Sequence, residues 1–523
     1  MASFRQLRDG FPWYVPQDMY NTERIEVSRG PAGLAYGDVD AGGIINIATK
    51  RARDRDLYGA QVRYDDFGTQ RYSVDLNKAI RPGQLALRLN AIDYEDERSR
   101  QRTETRGTGL AGALKWDLFK SGRTTVDVTY ERGNQDLVLG HLTLNDQTAA
   151  YVRGTGMIAP DANLTVAGVQ TNGVGRARIA APGNTHPFLD IGGTLYNLQS
   201  TATEVYRASG VFTGANVATA ADAQNPGRIP LLSISASIVP RGQDWAGPDN
   251  RVMADWRVQV IELQHAFAEN FRVAVAYNHQ RDASNRQTMP NGAILVPGGN
   301  ARAVLIDVNP RLPNPNGAGT IPNPRFEEYF VGYIPIRNVD GHTIDGWRGT
   351  AVYDAKLPWG STQRIVGGVN YRHEKYRRDT FRLALTQEEI ARRGFTAGAA
   401  RFYTNNFVTP IHYLSDGNSD DALRLRIQPG VMNWFRTDLN QRFDQSLASG
   451  SLTALGSYFD GRLRTSIGVS RDYWQQEASS PTALDPVTNE ARFVNRAGAF
   501  VGEDDVPVYP FTSNWVTNQT YGG

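Results

Sequence analysis

ERIEVSRGPAGLAYGDVDAGGIINIATKR, residues Glu23 to Arg51, is the stretch that decides how this chain is read. Ile25 and Val27, and further on Ile45 and Ile47, alternate with polar or small partners, the period-two pattern of half-buried strands. Two short strands are expected. Gly30-Pro31 ends the first, because glycine reaches backbone angles closed to other residues and proline removes a ladder donor. Gly42-Gly43 opens the second with the same freedom. A compact turn in any small β domain would need the same residues.

From Leu57 onward one pattern repeats. Tyr58, Ala60, Val62 and Tyr64 alternate with Gly59, Gln61, Arg63 and Asp65, and Tyr72, Val74 and Leu76 stand against Ser73, Asp75 and Asn77. Arg81-Pro82-Gly83 turns into Leu85, Leu87, Leu89 and Ala91. Trp116 closes a fourth strand, and Lys120-Ser121-Gly122 leads into Val126, Val128 and Tyr130. The same grammar marks 253–267, 271–283, 347–357, 364–381, 449–459 and 462–474, giving about eleven strands, and Trp515 begins a twelfth.

The connections alternate between very short and very long. Short ones are Arg81-Pro82-Gly83, Lys120-Ser121-Gly122, Ala268-Glu269-Asn270, Trp359-Gly360-Ser361 and Asp460-Gly461; long ones span about 137–250, 284–341, 383–445 and 475–513. An outer-membrane barrel has this asymmetry, with short turns on the periplasmic rim and long loops outside. Aromatic residues gather near strand ends, at Tyr58, Tyr94, Trp116, Trp256, Phe271, Trp359, Phe459 and Trp474, where interfacial girdles lie.

Composition is consistent with that architecture. A formal charge of +2, without a Lys/Arg block, leaves no nucleic-acid footprint. With no cysteine there is no disulfide framework, thiolate metal site or cysteine nucleophile. No run of about 18 apolar residues occurs, so no transmembrane helix is expected. Mean hydropathy is negative, as in soluble chains, but barrel strands give the same average because lipid-facing and lumen-facing residues cancel. The first residues, MASFRQLRDGFPWYVP, hold no apolar core of signal-peptide length.

The opening stretch resembles the plug signature of TonB-dependent outer-membrane receptors. Glu26, Arg29, Gly30, Pro31, Tyr36, Gly37, Gly42, Gly43, Asn46, Thr49 and Lys50 fall at the signature's positions in order, with Thr22 replacing the usual apolar residue. Agreement through 46–51 leans towards the siderophore-receptor type. The resemblance implies an all-β fold: a transmembrane antiparallel β-barrel of about 22 strands filled by an N-terminal plug. Residues 1–52 would then be the C-terminal part of the plug, and 53–523 the N-terminal half of the barrel, incomplete at both ends. It further implies import of a ferric siderophore by energised plug rearrangement, with vitamin B12 or a carbohydrate as alternative ligands. The partners would be outer-membrane lipid, the ferric chelate, and the TonB energy-coupling complex through a segment missing from this chain. A monomer in the outer membrane of a Gram-negative-type bacterium is expected, without catalytic residues, cofactor or resident metal.

Other patterns fall short. Gly107, Gly109 and Gly112 spell G-x-G-x-x-G, but a strand follows, whereas dinucleotide binding needs a helix N-terminus. Asp38 and Asp40 hint at a calcium loop, yet Gly42 stands at the fifth position, where an oxygen ligand is required, and Thr49 at the twelfth, where a bidentate Glu is required. Asp416, Asp420 and Asp421, separated by Gly417, Asn418 and Ser419, read as a solvated loop. Tyr403, His412 and Tyr413, in one long connection, are candidate ligand contacts for an anionic chelate. Arg29 is expected to pair with an inward carboxylate of the wall, Glu131 or Glu262, or else within the plug. A soluble β-rich surface-binding protein would explain the alternation but not the plug signature, and a β-helix enzyme would need a fixed repeat.

Overall fold

The computed structural model of the protein describes residues 5–15, 18–28, 44–99, 101–119, 121–139, 240, 242–289, 319–358, 360–392, 408–437, 440–479, 482–485, 491–495, 497–502, 506 and 508–522. It also describes short stretches at 145–146, 151–152, 157–158, 164–166, 169–171, 188–197, 232–233, 303–306 and 311–316. Of the signature residues, Arg29, Gly30, Pro31, Tyr36, Gly37, Gly42 and Gly43 lie outside this set, as do Asp38, Asp40, Lys120, Trp359 and Tyr403.

The N-terminal strands β1 (Arg5–Arg8), β2 (Phe11–Pro12), β3 (Thr22–Ser28) and β4 (Ile44–Thr49) form a four-stranded sheet in the order β2-β1-β4-β3. β3 and β4 are the two strands read from the sequence. β1 lies parallel to β4 and antiparallel to β2. A two-residue hairpin, Asp9-Gly10, joins β1 to β2, with φ of 49° and 81°, and Asp-Gly is well suited to such a turn.

The second sheet is much larger. Its strands are β5 (Leu57–Tyr64), β6 (Gln70–Arg81), β7 (Leu85–Glu97), β8 (Glu104–Asp117), β9 (Thr124–Val138), β10 (Arg251–Ala268), β11 (Phe271–Thr288), β12 (Ile336–Leu357), β13 (Ser361–Leu385), β14 (Gln441–Tyr458), β15 (Leu463–Ser479) and β16 (Val508–Gly522). Each pairs antiparallel with the next along the chain, and Met432–Arg436 adds a short strand beside the end of β13. β16 begins at Val508 rather than Trp515, and β13 extends past the expected 364–381 at both ends, because ladder pairing with neighbouring strands continues beyond the residues whose alternation marks them in the sequence.

Side chains alternate across this sheet as the period of two requires. One face carries Val74, Leu76, Leu87, Leu89, Leu110, Trp116, Tyr130, Ile261, Leu263, Val275, Trp347, Ile365, Val369, Leu452, Ile467 and Val469, all exposed. The other carries Arg88, Asn90, Glu131, Trp256, Val258, Asn278, Gln280 and Glu374, all buried. An exposed apolar belt on strands this long is the lipid-facing surface of a transmembrane barrel. Tyr94 and Trp256, expected in an aromatic girdle, instead point to the buried face, because their positions share the register of Asn90 and Val258.

The long connections share one rim and the short ones the other. They are not featureless. Thr194–Asn197, Phe188–Ile191, Val408–Tyr413, Tyr329–Gly332, Ala303–Ile306, Asn145–Asp146 and Leu232–Ser233 zip three separate loops into a single sheet. Beneath it Leu383, Leu385, Ile390, Val408, Met432 and Phe435 form one apolar core, and Trp245, Met289, Val331, Tyr333 and Leu423 another.

Candidate functional site: the N-terminal sheet against the inner wall

β1 ends on Arg8, and its side chain enters the wall. Arg8 Nη2 and Asn21 Nδ2 both donate to Glu131 Oε2 on β9, while Trp256 Nε1 on β10 donates to Glu131 Oε1 at 3.2 Å. The Arg8 and Glu131 side chains are only 6% and 5% exposed, so this ion pair is taken out of water together with three hydrogen bonds. Burial opposes the charge on Arg8, but the adjacent Glu131 carboxylate outweighs it and raises the guanidinium pKa. Burial, then the same carboxylate, pushes up the neighbouring Tyr20 hydroxyl. Arg8 also lies over the Trp13 ring at 4.5 Å.

The Asp9-Gly10 hairpin is held from both sides. Gly10 N donates to Asn46 Oδ1 (2.9 Å), and the Asp9 carboxylate accepts from Thr49 N (3.0 Å) and Thr49 Oγ1 (2.6 Å). From the wall, Arg348 Nη1 on β12 donates to the Asp9 carbonyl at 2.9 Å. A Cβ on Gly10 would sit 1.9 Å from that nitrogen, so the Arg348 side chain would have to move to admit it, and the left-handed φ favours glycine here. Glu262 on β10 faces Arg348 at 3.5 Å and Arg51 at 3.9 Å.

The exit from the small sheet is fixed in the same way. Arg88, on β7, makes a two-pronged contact with Asp75 on β6 (2.8 and 2.7 Å) and reaches Glu23 of β3 and the Arg51 carbonyl. Lys50 joins Asp75 at 2.9 Å. Asn77 clamps the backbone, accepting from Arg53 N and donating to the Arg53 and Arg55 carbonyls. Arg71 bridges Asp18 and Asp96, each at 2.7 Å. The apolar share is smaller: Phe11, Trp13 and Val15 pack on Trp256, Val258, Val260 and Ala276.

Several sequence expectations can now be placed. Glu131 and Glu262 do face the small sheet, but among the described residues their cationic partners are Arg8, Arg51 and Arg348; Arg29 lies outside that set. Glu26 pairs inside the small sheet, with Asn46 Nδ2 (2.8 Å) and Arg24 Nε (2.7 Å). Gly107 and Gly109 sit on strand β8, where Cβ atoms would meet Tyr94 Oη and Tyr20 Cζ at 2.7 Å; the glycines make room for rings on a strand and do not open a helix. Asp416, Asp420 and Asp421 pair with Arg325, Arg102 and Arg426.

His412 and Tyr413 are inside the loop core. Tyr413 is 1% exposed and packs on Phe330, with Arg325 over its ring at 5.2 Å. His412 Nε2 donates to the Gly417 carbonyl at 2.6 Å, and burial lowers its pKa. In this arrangement neither ring is presented to a ligand.

A buried face lined by the small sheet and an opposite apolar belt define an outer-membrane barrel with a plug seated on its inner wall. No family model matches any part of the chain. Individual proteins match it over limited stretches or in fold alone. The ferric enterobactin receptor PirA of Pseudomonas aeruginosa is 49% identical over 51 residues, 10% of this chain and 6% of that protein. The probable TonB-dependent receptor BfrD of Bordetella pertussis is 30% identical over 128 residues, 24% of this chain and 17% of that one. Among solved structures, the ferric-catecholate import receptor Fiu of E. coli in its closed form superposes with TM-score 0.58 at 13% identity, covering 99% of this chain and 55% of that one. The siderophore receptor PiuA of Acinetobacter baumannii gives 0.56 at 13%, covering 99% and 54%. At such identity the likeness is one of fold, and this chain spans about half the length of the receptors it matches. Signature, fold and these partial matches agree: the chain resembles the TonB-dependent outer-membrane receptors.

Proposed function

We propose that this chain is the plug tail (1–52) and the first half of the barrel wall (53–523) of a TonB-dependent importer for a ferric siderophore, acting as a monomer. The observation that carries the reading is the seam between plug and wall. It is built mainly from ion pairs and hydrogen bonds around Glu131, Glu262 and Asp75, with one small apolar patch. Polar partners can be exchanged for water when a plug is displaced, whereas a large apolar seam would expose surface at about 25 cal/mol per Å². Energy delivered through TonB would break these contacts in sequence and open a path along the wall. Names of relatives that bind ferric catecholates favour an iron chelate as cargo. Uptake of radiolabelled ferric siderophores by cells producing the receptor that contains this chain, with and without TonB, tests the proposal. TonB-dependent accumulation of iron supports it; accumulation of labelled cobalamin or sugar instead replaces the ligand, and no TonB-dependent uptake of any of them defeats it.

A further inference from the structure

Among the described residues, the long connections meet in one cap that stands on the wall at three places. The first foot is at the tops of β9, β10 and β11, where the Asn250 carbonyl accepts from Leu139 N (2.7 Å) and Asn250 Oδ1 from Met289 N (3.1 Å). The second is at the end of β13, where Thr386 N and Oγ1 donate to the Val431 and Gly430 carbonyls (2.9 and 2.8 Å) beside the apolar core of Leu383 and Leu385. The third is the tip between β7 and β8. There Gln101 N donates to the Gly242 carbonyl (3.0 Å), and Asn418 Nδ2 donates to Gln101 Oε1 (2.8 Å). Next to it Arg102 donates to the Asp420 carboxylate (2.6 Å), the Asp244 carbonyl (3.1 Å) and the Asn418 carbonyl.

This third foot carries the most information. The Arg102 side chain is 8% exposed and serves two loops at once. Its backbone sits at φ 57°, a left-handed angle that a non-glycine residue keeps only where its surroundings over-determine it. The two loops it joins also meet at the backbone. A Cβ on Gly247, itself at φ 79°, would come within 2.8 Å of the Leu423 carbonyl oxygen, and Leu425 N donates to Asp249 Oδ2 at 2.7 Å. Trp245, Val331, Tyr333 and Leu423 bring three long loops into one apolar core, with the Tyr333 hydroxyl donating to the Trp245 carbonyl.

A body held at one point can swing about it. A body held at three points, with a shared core, leaves the wall only by breaking a foot. Met289 and Leu383 tie the first two feet into apolar cores, so a swing would have to begin at the polar tip.

We propose that this cap is a fixed entrance and not a gate: Arg102 holds it to the wall throughout import, and cargo passes an opening that is present before it arrives. The inference rests on the reading of the chain as part of an importer. Arg102 is in it a positioning residue that touches no cargo. A rim of constant shape admits or rejects cargo by size before the plug is reached.

Because the chain has no cysteine, the tip can be welded. Gln101→Cys/Asn418→Cys puts two thiols where these side chains now bond, and oxidation ties the tip to the loop that carries Asp420. In cells producing the receptor that contains this chain, TonB-dependent uptake of radiolabelled ferric enterobactin should show no loss of rate in the oxidised form, and reductant should change nothing. Uptake that falls on oxidation and returns on reduction would overturn the inference. A wild type that imports no label counts against the importer reading alone, because the cap has a second test that needs no transport. Nitroxides on Ser99→Cys and Asp421→Cys, read by double electron–electron resonance in the purified full chain, should give one narrow separation that ferric enterobactin does not shift. Arg102→Ala should broaden it, and Arg102→Lys, which keeps the charge but not the fork, should fall between. A second population in the wild type, or an Arg102→Ala distribution identical to wild type, would overturn the inference.

Discussion

The two faces of the same strands solve opposite problems. On β10 the inward residues Trp256, Val258, Val260 and Glu262 meet the plug, and their polar atoms find named partners. The outward residues Ile261 and Leu263, interleaved with them, find none and need none, because lipid asks only for apolar surface. The wall is therefore specific on one side and generic on the other. Substitutions should separate the two faces by size of effect and by what they disturb.

Removing one member of the buried pair should do the most damage. Glu131→Ala leaves Arg8 charged in a dry site, and a cost of about 3 to 5 kcal/mol to plug seating is expected, read by protease release of the N-terminal segment. The double variant Arg8→Met/Glu131→Leu should recover most of that loss, since an apolar pair of similar volume can replace a buried ion pair. If the double variant were as poor as the single, the pair would not be the source of the effect. On the lipid side, Leu263→Arg should cost about 2 to 4 kcal/mol in reversible folding into vesicles while leaving protease protection of the plug intact. Gly10→Ala comes next: strain of about 1 to 3 kcal/mol at a left-handed position is joined by displacement of the Arg348 bond to the Asp9 carbonyl, and loosening of the hairpin should appear in hydrogen exchange.

The smallest effect is pH-dependent and belongs to the loops. His412 has a folded pKa below its ordinary 6.5, so the folded loop binds fewer protons than the unfolded one. The loop core should be at full stability above pH 6.5 and lose it as pH falls through that value towards the folded pKa. Amide exchange across 408–417 checks the trend, and His412→Gln should flatten it.

Much of the wall was legible in the sequence. Tyr58, Val62, Val74 and Leu76 announce the outward face by alternation alone, and the short and long connections give the rims. The buried site was legible only in part. Glu131 and Glu262 stand at inward positions of the period, which identifies them as wall carboxylates, but a partner 123 residues away cannot be read from spacing. The β1–β2 hairpin left a usable signal: Asp9-Gly10 between Leu7 and Phe11 is a hairpin turn flanked by apolar residues. Tyr94 and Trp256 misled because an aromatic near a strand end reads the same whether it faces lipid or plug, and the glycines that admit such rings, Gly107, Gly109 and Gly133, resemble a nucleotide motif or ordinary loop punctuation.

The absence of native cysteine makes the two-faced wall directly measurable. Single cysteines at Leu263 and at Val260, spin-labelled in reconstituted receptor, can be challenged with oxygen, which partitions into lipid, and with a water-soluble nickel complex. The account expects the label at 263 to be relaxed strongly by oxygen and weakly by nickel, and the label at 260 to be shielded from both beneath the plug. A label at 263 relaxed mainly by the nickel complex, or one at 260 that oxygen reaches as freely as 263, would contradict it.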